Sequence, residues 1–183
     1  GAEVDLGNYT VYLYSNGAST PTNTLALSGT LANNDVYVIA NSQASSTIIA
    51  VADTTSAVTN YNGDDALALW NETTASYSDI FGCIGERPTN PSYWGTDPYV
   101  TVEKTLVRKS SVSGGVTSNP ASGFPTLATE WDSYSQDTFT YLGSHTYGSK
   151  AISYVPGYQN LDVSSVTSYL VTGLNENTDY HYR

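Results

Sequence analysis

With 183 residues and 39% hydrophobic content, the chain can build one well-buried core, or one domain and part of a second. Seventeen acidic residues face six basic ones, a formal net charge of -11, and this field works against binding a phosphate backbone or an anionic membrane. Purely apolar runs such as Ile48 to Ala52 are far too short to cross a bilayer, so neither nucleic-acid binding nor membrane insertion is expected.

The first strand predicted is YTVYLY, Tyr9 to Tyr14, where apolar and polar positions alternate. TLAL, Thr24 to Leu27, follows a loop marked by Gly and Pro. DVYVIA, Asp35 to Ala40, alternates again, and the run from Thr47 to Val51 is rich in β-branched residues, which favour strands. A Gly-Asp-Asp turn then leads into Ala66 to Trp70. A polar hairpin at Asn71 to Ala75 leads into Tyr77 to Phe81, which ends in the Gly82-x-x-Gly85 turn. Further strands are expected over Tyr99 to Arg108 and Phe139 to Leu142. Two stretches read as loops: Glu86 to Val100, with Pro88, Pro91 and Pro98, and the Ser-, Gly- and Pro-rich Ser110 to Thr129. No helical period emerges, so an all-β fold is expected, with Leu27, Val36, Val38, Ile49, Leu67, Leu69 and Ile80 in its core. Sixteen tyrosines, three phenylalanines and no methionine, set among Thr/Asn-rich loops, suggest a secreted or surface-displayed β protein. Cys83 is alone and is expected to serve as a small buried apolar side chain.

Several segments together resemble the bacterial lamin-tail domain, an immunoglobulin-like sandwich. They are VDLGNYTVYLYSNG, LSGTLANNDVYVIAN, YNGDDALALW, DIFGCIGE, TLVRKSSVSGG, EWDSYSQDTF and YLGSHT, spaced along residues 4–146. The resemblance implies an immunoglobulin-like antiparallel β-sandwich over residues 1–146. It also implies an opening strand before the VDL segment, which the chain begins too late to contain. From Tyr147 onward, VPGYQNLDVSSVTSYLVTGLNENTDYHYR resembles the middle and later strands of a bacterial fibronectin type III domain. Leu174 and Tyr180 have the spacing of its tyrosine corner. Residues 147–183 are thus expected to be an incomplete fibronectin type III-like segment. Two incomplete units suggest mutual repair. The tail strands, chiefly Val166 to Thr172 and Thr178 to Arg183, are expected to pack on the body or, by strand exchange, on a second copy to form a homodimer.

Four sets of residues are candidates for chemistry. Asn62, Asp64 and Asp65 crowd oxygen atoms into one turn, and Asp79 lies on the next strand; together they are the candidate Ca2+ ligands. The competing reading is that the Asx side chains cap their own turn. Glu130 and Asp132 flank Trp131 and would share one strand face, roughly 6 to 7 Å apart, near the separation of paired glycosidase carboxylates. Ser144-His145 with Asp137 invites a triad reading, but neighbours on a strand point to opposite faces. Tyr93 and Trp94, in PSYWGTDP, are the candidate exposed aromatics, where they could stack a sugar ring; the competing and favoured reading is a loop anchor tucked onto the edge of the sandwich, because tryptophan is usually largely buried.

The sequence therefore reads as a non-catalytic structural or binding module of a secreted or cell-surface bacterial multidomain protein. No cofactor is expected, Ca2+ at the Asn62 to Asp65 turn being the one candidate, and the partner is an unidentified protein or glycan. The rival readings are a carbohydrate-binding module and the accessory domain of an extracellular hydrolase or nuclease, roles the lamin-tail resemblance accommodates.

Overall fold

The computed structural model describes residues 2–146 together with Thr172 and Leu174. The chain divides into two units, Gly1–Gly148 and Ser149–Arg183, and the elements below belong to the first. They are β1 (Val4–Asp5), β2 (Tyr9–Tyr14), β3 (Asn23–Ala26), β4 (Thr30–Leu31), β5 (Ile39–Ala40), α1 (Ser46–Ile49) and β6 (Thr54–Thr55). After these come β7 (Ala66–Asn71), β8 (Ser76–Phe81), β9 (Gly95–Thr96), β10 (Tyr99–Val100), β11 (Lys104–Arg108), α2 (Leu127–Glu130) and β12 (Trp131–Ser135).

The protein is mostly β. Its centre is a four-stranded antiparallel sheet in the order β3-β2-β7-β8. Alternation makes β2 and β7 a matched pair, with Val11 opposite Leu69 and Leu13 opposite Leu67. The β7–β8 hairpin closes because Asn71 Oδ1 accepts from the Thr73 and Thr74 amides and Ala75 takes φ 49. Among the described residues there are four further, two-stranded sheets: β1–β4, β9–β10, β11–β12 and the parallel pair β5–β6. None of these sheets closes into a barrel among the described residues.

One face of the central sheet presents Val11, Leu13, Leu67, Leu69, Asp79 and Phe81. It meets the β11–β12 sheet, where the Phe81 ring packs edge-on against Trp131 at 5.2 Å and against Phe124 at 4.6 Å. The other face presents Thr10, Tyr12, Tyr14, Ala66, Ala68, Trp70, Tyr77 and Ile80. A second core lies behind the loops, around Cys83, Trp94 and Leu127.

Four strand expectations are corrected. Asp35 to Ala40 is strand only at its end, Ile39–Ala40, although its alternation suggested six residues. Thr47 to Val51 is no strand: Ser46–Ile49 is a single helical turn, with the Ile48 and Ile49 amides bonded to the Ser45 carbonyl. The reason is topological. β5 and β6 pair in parallel, so the chain between them must cross over, and it coils where β-branched content suggested extension. Ile49 is accordingly 38% exposed and not a core residue. Tyr99 to Arg108 breaks into β10 and β11, because Glu103 takes φ 50 between them. Phe139–Tyr141 is a 3-10 turn rather than a strand. Of the other expected core residues Ile80 is buried, while Leu27, Val36, Val38, Leu67 and Leu69 are half-buried. The tail strands Val166 to Thr172 and Thr178 to Arg183, and the partner Tyr180 of the expected corner, lie outside the described residues, apart from the exposed Thr172 and Leu174. No helix among the described residues is long and apolar enough to cross a membrane.

Candidate functional site

The turn before β7 is built on backbone needs. Gly63 takes φ 112, and its carbonyl accepts from the Thr101 hydroxyl at 2.5 Å. Asp65 accepts from the Asn16 amide at 2.6 Å and the Asn62 amide at 3.2 Å, so it pins two loops together. Asp64 is buried, with Oδ2 receiving the Arg87 Nε–H at 2.7 Å and Oδ1 without a partner. Asn62 is exposed. Among the described residues no three His, Cys, Asp or Glu side chains are grouped to hold a metal, so Asp79 does not join Asp64 and Asp65. The arrangement uses these carboxylates to satisfy amides and a guanidinium.

Asp79 belongs to a different cluster. Its Oδ1 accepts from the Ile80 amide at 3.0 Å and the Val116 amide at 2.8 Å, and its Oδ2 accepts from Arg108 Nη1. Arg108 Nη2 reaches Glu130 at 2.6 Å, and its guanidinium carbon sits 5.2 Å from the centre of the Trp131 ring. Burial works to lower the Arg108 pKa, but the bonds to Glu130 and Asp79 outweigh it and hold the group above its ordinary value. Arg108 therefore ties β8 of the central sheet to β11 and to the end of α2. The expected pairing of Glu130 with Asp132 on one strand face does not form. Glu130 ends α2 while Asp132 lies within β12, and Glu130 bonds Arg108.

Trp94 is 3% exposed and packs with Cys83 and Leu127, so it is the buried loop anchor and not an exposed sugar-stacking ring. Its loop is held in by the Trp94 amide, which donates to Thr101 Oγ1 at 3.0 Å. A residue this large is more favourable inside, and the loop is long enough to fold it there. Tyr93 beside it is half-buried. Cys83 is buried and donates to the Pro120 carbonyl, and burial followed by the nearby Glu86 pushes its thiol pKa up, as suits an inert packing residue.

Two cavities of about 260 and 350 Å³ adjoin where the central sheet faces its neighbours, and Tyr61, Leu67 and Phe81 line both. Their walls are mainly apolar, with Asp79 in the first and Asp65, Thr101 and Lys104 in the second.

The opposite face of the sheet carries a continuous set of rings that sequence reading missed. Tyr12 and Trp70 lie 6.4 Å apart, and Trp70 and Tyr77 5.0 Å apart. Tyr14 meets Tyr12 at 6.3 Å, and its hydroxyl bonds that of Tyr77 at 3.1 Å. The signal was present in YTVYLY, whose tyrosines at positions 12 and 14 share a face, and in Trp70 and Tyr77 flanking the next hairpin. No protein-family model, curated protein or solved structure matches the chain.

Proposed function

We propose that the chain is a non-catalytic structural or binding module of a secreted or cell-surface bacterial multidomain protein, with an immunoglobulin-like sandwich of the lamin-tail kind in its first part. The observation that supports this is how its acids are used. Asp64, Asp65, Asp79 and Glu130 each hold a loop amide or a guanidinium in place, so the groups best suited to acid–base work serve the fold. An accessory place beside an extracellular hydrolase or nuclease fits the same reading. Carbohydrate binding is the second reading, and the ring-bearing sheet face favours it over the Tyr93–Trp94 loop, whose tryptophan is buried. The purified chain is expected to turn over no glycoside, ester or phosphodiester substrate above a heat-unfolded control. Turnover abolished by Asp79→Asn or Glu130→Gln in a folded variant would overturn the reading.

A further inference from the structure

We propose, resting on the non-catalytic binding reading, that the ring-bearing face of the central sheet binds a neutral glycan chain laid across Tyr12, Trp70 and Tyr77. These rings come from three adjacent strands, because the register places Tyr12 opposite Ala68 and Trp70 opposite both Thr10 and Tyr77. One end of the face is closed: Tyr14, Ala66, Ala68 and Ile80 are buried, with Ile84 and Val116 packed against them and one side of Tyr12 and Tyr77 resting on them. The other end is not. Tyr12, Trp70 and Tyr77 are half-buried, and β3 contributes only the exposed Thr24 and Ala26 to this side. Alanine and threonine stand between and beside the rings: Ala68 opposite Tyr12, Thr10 opposite Trp70, and Thr24 and Ala26 on the neighbouring β3.

The geometry selects how a ligand lies. Rings 5.0 to 6.4 Å apart are in mutual contact, with interplanar angles of 78° and 44°. That leaves no box between them for an ammonium group, so an aromatic cage for a cation is ruled out. A ligand must rest on top, spread over several rings. The rings are also fixed before it arrives: Tyr77 by its hydroxyl bond to Tyr14, and Trp70 by Tyr77 packed against it. Rigid aromatic side chains give contact area at little cost in lost freedom.

Charge narrows the chemistry further. The cations among residues 2–146 are engaged elsewhere: Arg87 with Asp64, Lys104 with Asp97, Arg108 with Asp79 and Glu130, Lys109 with the Ala128 and Thr129 carbonyls. The charged group beside the rings is the exposed Glu72, whose Oε1 accepts from the Thr10 hydroxyl at 2.6 Å. An anionic polymer finds repulsion there. A neutral polyol finds ring faces for its C–H side and phenol, threonine and carboxylate oxygens for its hydroxyls.

The test is retention of the intact chain on insoluble cellulose and chitin, and in gels containing xylan or mixed-linkage glucan, with tryptophan fluorescence as the titration signal. At least one of these polymers is expected to bind. Trp70→Ala is expected to weaken that binding by about tenfold or more, the effect of removing a central aromatic anchor. Thr24→Arg, at an exposed position, is expected to do the same by obstruction and covers the case in which Trp70→Ala does not fold. Tyr93→Ala is expected to bind as the parent does. No retention on any polymer, or retention unchanged in both face variants, overturns the proposal. So does a doubled mass in light scattering that Thr24→Arg returns to the monomer, since the face would then belong to a second copy. Release of reducing sugar would contradict the non-catalytic reading alone and leave the binding face standing.

Discussion

Tyr14 carries the clearest pH signature of any single residue. It is buried on β2, and burial first, then its hydroxyl bond to Tyr77, raises its pKa well above the ordinary phenol value. In the unfolded chain it titrates near about 10. The folded pKa is the higher one, so the stability it contributes is whole below about pH 10 and is lost as pH rises beyond it. Urea unfolding from pH 8 to 11 should show this fall, and Tyr14→Phe should show a shallower one, after a loss of about 1 kcal/mol at neutral pH for the missing bond. Equal slopes for the two proteins would mean that Tyr14 ionises freely in the fold. At this scale the sequence told only part of the story. The capping role of the Asx residues before β7 was readable, because turn chemistry is local. That Trp94 would be buried was readable from its size, but its partners Cys83 and Leu127 were not, because only the fold brings them to it.

At the scale of elements, β2, β7 and β8 were legible because their alternation is continuous and each is bounded by turn residues. Short segments were not, because tertiary demands outweigh propensity over four or five residues: the crossover at Ser46–Ile49 and the break at Glu103 are both set by what pairs with what. The loop that closes over β8 makes a sharper point. A Cβ added to Gly115 would lie 2.1 Å from the Ser78 carbonyl oxygen and 2.8 Å from Asp79 Cβ. The backbone is that close because the next amide, Val116, bonds Asp79, and Val116 then packs beside Ile80. Gly115→Ala is therefore expected to cost about 1 to 3 kcal/mol by forcing the loop off the strand. Chemical denaturation would measure it, and a neutral substitution would show that the loop is not held there.

At the largest scale described, that of the first unit, what matters is how its separate sheets are held together. Apolar contact does part of it through Phe81, Phe124 and Trp131. Arg108 adds an ionic link, reaching from β11 to Asp79 on β8 and to Glu130 at the end of α2. None of this was legible beforehand. The three residues are separated by 29 and 22 positions, and only strand pairing brings them together. The same cluster underlies the view that the acids here are struts and not catalysts. Arg108→Met keeps the length and apolar body of the side chain but leaves two partly buried carboxylates without their cation. Urea unfolding of this variant beside the parent at neutral pH is the most direct measurement. A loss of about 3 kcal/mol is expected, the lower end for stranding buried charge because both carboxylates keep some contact with water. A loss below about 0.5 kcal/mol, the size of an ordinary surface change, would contradict the view that this cluster holds the sheets together.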